Sequence, residues 1–126
     1  MAVNRVRIAW PAGELFALLD ATPTSAALCA VLPIESAANT WDEEVYFSVA
    51  LNVKREADAR QVVDPGTNCF WVEGSSLALP FGPTPISRGN ECRLITKVNV
   101  FGHFEGDAQL LETVKHGDKI RVESAN

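Results

Sequence analysis

The chain has 126 residues, 47% hydrophobic and 21% charged, a length and balance that suit one folded domain over residues 1–126 and exclude intrinsic disorder. Its formal net charge is -5, and its 11 Lys and Arg residues are scattered, so a phosphate-binding surface is excluded and neither nucleic acid nor an anionic membrane is expected as a partner. Three cysteines without C-x-x-C spacing, Cys29, Cys69 and Cys92, point to neither a disulfide framework nor a zinc site. Reduced thiols, a charged opening segment and a longest apolar run of only residues 26–32 suggest a cytoplasmic protein that needs no cofactor or metal.

Residues 3–10 alternate apolar with polar, the period of a half-buried strand. Pro11-Ala12-Gly13 turns the chain, and residues 14–19 complete a hairpin. Thr22 and Pro23 then have the character of an N-cap and a first helical residue, so a helix is expected over residues 22–32, with Leu28, Val31 and Leu32 on its buried face and Pro33 ending it.

Residues 35–49 read as two strand-like pieces joined at Asp42-Glu43-Glu44, an acidic run expected to form a solvated turn rather than an acid cluster. The charged, aperiodic stretch 54–60 is the best candidate for a mobile loop, and Asp64-Pro65-Gly66 is a turn signal. Two short strands follow around Glu73-Gly74-Ser75-Ser76, then a proline-rich stop and a polar loop from 86 to 93 in which Cys92 is expected to be exposed beside Arg93. Residues 97–104 alternate as a strand. Asp107 can cap a second short helix, and residues 120–122 form a last strand. The sum is about eight strands and two short α-helices with no internal repeat, the pattern of a mainly β, closed antiparallel barrel.

Val100-Phe101-Gly102-His103-Phe104-Glu105-Gly106 followed by a short helix, and Thr22-Pro23-Thr24-Ser25-Ala26 opening the first one, resemble segments of cyclophilins. Asn39-Thr40-Trp41-x-Glu43-Glu44-x-Tyr46-Phe47-Ser48, Asp64-Pro65-Gly66 and Leu79-x-Phe81-Gly82-x-Thr84-Pro85 are similar to a small prokaryotic family of uncharacterised cyclophilin-like proteins. The resemblance spans nearly the whole chain and implies a closed eight-stranded barrel capped by two helices.

The resemblance does not carry over the prolyl isomerase residues. Residues 36–47 hold no arginine, no Gln-Gly-Gly-Asp segment is present, and counting back from Val100-Phe101-Gly102 puts Arg93 at the family's tryptophan and Val98 at its histidine. Three readings follow. The favoured one is a domain that binds a small molecule or peptide without classical isomerase chemistry, through Asn39, Trp41, Tyr46, Phe47, Trp71, Phe81 and Thr84, since aromatic surface with a few polar tips suits a pocket. The others are a prolyl isomerase with a relocated arginine, drawn from Arg55, Arg60, Arg88 or Arg93, and an interaction or oligomerisation module. His103 and His116 have no ligand-spaced neighbours and are expected to be structural or exposed.

Overall fold

The computed structural model describes residues 4–126. The opening hairpin forms as the alternation requires: β1 (Arg5–Trp10) buries Val6, Ile8 and Trp10, and β2 (Gly13–Leu19) buries Leu15 and Ala17 opposite them. Helix α1 (Pro23–Val31) follows, with the Thr22 hydroxyl accepting from the Ser25 N–H at 3.1 Å and Pro23 in the first turn, where its missing N–H has no partner to lose. The chain continues through β3 (Ile34–Ala37), β4 (Asn39–Thr40), β5 (Glu44–Ser48), β6 (Arg60–Val63), β7 (Thr67–Trp71), β8 (Ser76–Pro80) and β9 (Cys92–Glu105). A 3₁₀-helix (Ala108–Thr113), capped by the Asp107 carboxylate on the Gln109 N–H at 2.9 Å, leads into β10 (Lys119–Ser124).

The strands form one curled antiparallel sheet in the order β3-β10-β1-β2-β9-β7-β8-β5-β4, with β6 paired to β9. This corrects the expected closed eight-stranded barrel in two ways. First, there are ten strands among the described residues. Residues 60–63, too short and charged to register as a strand, pair with β9, and the piece beginning at residue 35 breaks at Ala38, whose N–H and C=O bond to Asp118 and Gly117 instead of continuing a ladder. Second, no backbone ladder joins the two ends. β3 approaches β5 through the Ser36 hydroxyl, which donates to the Ser48 carbonyl at 2.9 Å. The second helix is 3₁₀ rather than α.

The main core fills the inner face, where Phe47, Phe70, Phe101, Leu77, Leu79, Ile8 and Ile120 are almost completely buried. Helix α1 contributes Leu28 to it, but Val31 is 43% exposed, so the expected apolar face is corrected: Thr24 and Ser25 share the buried side with Leu28. Their hydroxyls are satisfied there. Ser25 Oγ donates to the Phe101 carbonyl at 2.9 Å, where β9 bulges against β7, and Thr24 Oγ1 donates to the Glu56 carboxylate while accepting from Asn99 Nδ2 at 3.0 Å. Asn99 also donates to the Lys54 carbonyl at 2.9 Å and accepts from the Glu56 N–H at 2.7 Å. The stretch expected to be mobile is therefore pinned at its first residues to a buried asparagine.

Candidate functional site

Between β5 and β9 the sheet is packed on both faces. Period-2 alternation sends Val45, Phe47, Leu77, Leu79 and Phe70 inward and Glu44, Tyr46, Ala78, Cys69 and Trp71 outward, and the register aligns Tyr46, Ala78, Cys69 and Val100 as one outer row. A second, smaller cluster covers that row: Val63 of β6 and Cys92, Leu94 and Val98 of β9 fold across Cys69 and Ala78, with Tyr46 and Trp71 packed at its margin.

The cover is incomplete because the β6–β9 register slips. Arg60 pairs with Val98 whereas Val62 pairs with Arg93, so residues 94–97 arch away from the sheet, held by Gln61 Nε2 donating to the Leu94 carbonyl at 3.0 Å. Beneath the arch lies an open-mouthed cavity of about 190 Å³. Its walls are the side chains of Trp41, Tyr46 and Trp71, its aliphatic surface comes from Ala78, Leu94, Ile95 and Val98, and its one ionisable carboxyl is Glu44.

Local structure positions each of these groups. The turn before β5 is closed by the Trp41 N–H donating to the Glu44 carbonyl at 2.9 Å, with Asp42 in the left-handed region (φ 50°) that its short polar side chain tolerates. Glu43 clamps this turn to the chain beyond β8, accepting from the Phe81 N–H at 2.8 Å and donating to the Pro83 carbonyl at 3.2 Å. Gly82 lies so close under Glu43 that a Cβ there would meet its carboxylate. Trp71 is fixed from the other side: its ring lies on Gly74 in the β7–β8 turn, where a Cβ would collide with Cε3 and Cζ3.

Two polar groups at the cavity lack partners. Glu44 is 5% exposed, its Oε1 has no hydrogen-bond partner, and no ion pair engages it among the described residues. Burial pushes its carboxyl up to about 7. The indole Nε1 of Trp71 is likewise buried and unpartnered. Buried polar groups are ordinarily satisfied, so two orphans in residues that line one cavity mark a place where something else can supply the bonds.

Of the seven residues selected from sequence, the structure gathers Trp41, Tyr46 and Trp71 around this cavity and places the other four elsewhere. Phe47 and Phe81 are buried in the inner core. Thr84 is consumed internally, its hydroxyl donating to the Arg93 carbonyl and its N–H to Ser87 Oγ at 2.8 Å. Asn39 faces its cross-strand neighbour, Nδ2 donating to the Tyr46 carbonyl at 3.4 Å. Two further expectations are corrected. Glu44 is buried rather than part of a solvated turn, and Cys92 is buried rather than exposed, its thiol pushed up to about 11 by burial and by Glu43, Asp64 and Glu44. Cys69 is raised for the same main reason, and His103 and His116 are exposed. Glu44 carried a readable signal: it stands two residues before Tyr46, so a strand there puts both on one face. Leu94 and Ile95 carried none, because the arch depends on a register slip.

No arginine lines the cavity: Arg55 is paired with Glu73 at 2.6 Å and Arg93 with Glu91 at 2.7 Å. Among the described residues, no three His, Cys, Asp or Glu side chains are grouped to hold a metal, and no helix is long and apolar enough to cross a membrane.

A curled, mainly β sheet with two short helices is the architecture of the cyclophilin class. The chain belongs to the Cyclophilin-like family, which it matches over residues 4–123. It is similar to a hypothetical protein from Archaeoglobus fulgidus whose solution structure is known, with 33% identity and a TM-score of 0.82 over 98% of this chain and 96% of that one. No curated protein matches the chain.

Proposed function

We propose that the outer-face cavity binds a small molecule or a side chain of a peptide, and that the domain works without the arginine-centred prolyl isomerase chemistry of classical cyclophilins. The observation that carries this reading is the pair of buried, unpartnered polar atoms, Glu44 Oε1 and Trp71 Nε1, which belong to two residues lining a cavity whose other walls are aromatic and aliphatic. Apolar walls with a few convergent polar groups are the composition of small-ligand sites. The size also suits, since an apolar cavity of about 150 Å³ accepts benzene. Against isomerase chemistry stand the arginine-free lining and Val98, which holds the family histidine's place by sequence count and supplies an aliphatic wall.

A fragment screen read by the indole N–H signals in NMR tests the proposal. Small polar aromatics and amines should shift the Trp71 indole signal in the unaltered chain and lose that effect in Trp71→Phe. A screen in which no fragment moves this signal overturns the reading. A protease-coupled cis/trans assay on X-Pro peptides should stay at the uncatalysed rate, and acceleration removed by Arg93→Ala would restore the isomerase reading.

A further inference from the structure

Resting on the reading of the cavity as a ligand site, we infer that its ligand is a small protonated amine, primary to tertiary, that also carries an acceptor oxygen. The ammonium donates an N–H to Glu44 Oε1 among Trp41, Tyr46 and Trp71, and the oxygen accepts from Trp71 Nε1.

Each part follows from what the cavity lacks. Glu44 Oε1 is an acceptor without a donor, and no Arg, Lys or His lines the space, so no lining side chain supplies that donor and a ligand can. An anionic ligand would find no positive side chain and would meet a carboxyl. Trp71 Nε1 can only donate, so its missing partner is an acceptor. Three aromatic side chains attract a cation through their π faces, and desolvation strengthens that attraction. The cavity of about 190 Å³ has room for about six waters, which limits the occupant to a small amine or the tip of a longer one.

Protonation sets a sign that separates this ligand from a neutral one. In the empty cavity the Glu44 carboxyl holds its proton up to about pH 7. An ammonium ligand pairs with the carboxylate, so binding below that pH releases the proton and affinity climbs toward tenfold per pH unit before levelling off. A neutral ligand accepting from the protonated carboxyl would weaken over the same range. Facing Glu44, the Cys69 and Cys92 thiols are pushed up by burial and remain protonated, Tyr46 shares the outer row, and Glu43, Asp64 and Arg60 are the charged groups that act on those thiols.

The test is calorimetric titration of the full chain with ethanolamine, N-methylethanolamine and N,N-dimethylethanolamine, beside 3-methylbutan-1-ol, the uncharged shape analogue of the last. At least one amine should bind at least tenfold more tightly than the alcohol, with affinity rising from pH 5.5 to 7.5. Glu44→Gln should cost that amine at least tenfold and leave the alcohol unchanged. Equal or tighter binding of the alcohol, amine affinity that falls with rising pH, or no binding by any of the three amines overturns the inference. Neutral fragments that still shift the Trp71 indole signal would then leave the cavity standing as a ligand site, whereas a silent indole would remove both readings.

Discussion

Phe47 and Tyr46 are adjacent in β5, yet they stand in different solvents. Phe47 enters an inner core packed among β strands, α1 and the 3₁₀-helix, and it is fully buried. Tyr46 enters an outer cluster covered only by β6 and the first half of β9, and it remains half-buried at the edge of a cavity. The inner face has its own gap of about 260 Å³ at one end, beside Val45, Phe81, Leu111 and Val114, but Phe47 does not line it. The outer face is built from smaller groups, Ala78, Cys69, Cys92 and Val63, and stops short of filling its own space. In one strand, stability is assigned to one face and unsatisfied chemistry to the other.

The largest effect that would test this division is Phe47→Ala, expected to cost about 3–5 kcal/mol by chemical denaturation, the usual range for an aromatic removed from a packed interior. Tyr46→Ala should cost about 1 kcal/mol, because the side chain already borders empty space. Comparable losses for the two would erase the distinction.

Next in size is a pH effect on the outer face. The folded-state pKa of Glu44 is raised from 4.5 to about 7, so its carboxyl favours the folded state most below pH 4.5 and that contribution is lost as pH rises through 7. At about 1.4 kcal/mol per pH unit, the interval caps the effect at about 3 kcal/mol. Glu44→Gln, neutral throughout, should gain stability relative to the unaltered chain between pH 5 and pH 8, as followed by thermal or urea unfolding. A gap that does not widen with pH would mean that Glu44 is solvated. Smallest is Gly74→Ala. The added Cβ must displace the Trp71 ring, with an expected cost of about 1 kcal/mol and a changed tryptophan emission maximum, whereas unchanged emission would show that the ring does not rest there.

Alternation and turn chemistry made the first hairpin, α1 with its Thr22 cap, the β7–β8 hairpin and the last strand legible in the sequence. They are local signals, and local physics decides them. The three cavity aromatics were legible as candidates, but Phe47 and Phe81 entered the same selection because aromatic composition does not say which face of a strand is inward. β6 escaped notice because four residues carrying an arginine and a glutamine make too little pattern, and its pairing partners in β9 lie 29 to 38 residues further on. Glu44 was misjudged by treating three acidic residues as one run, although the strand begins within it. The sheet's failure to close by hydrogen bonds depends on how β3 meets β5, a long-range geometry that no local window contains.

Strand β9 has a consequence for how the chain acquires its structure. Its 14 residues pair with β2, β6 and β7, and its Asn99 anchors the preceding loop. During synthesis from the N-terminus, β2 and β7 emerge long before this shared partner and wait with bare edges. Pairing of that range belongs to proteins that fold in milliseconds to seconds, and exposed edges in the interval are templates for association between chains. The yield of native protein should therefore depend on how soon residues 92–105 arrive, and a chain truncated before them would be left without the strand that joins its two halves.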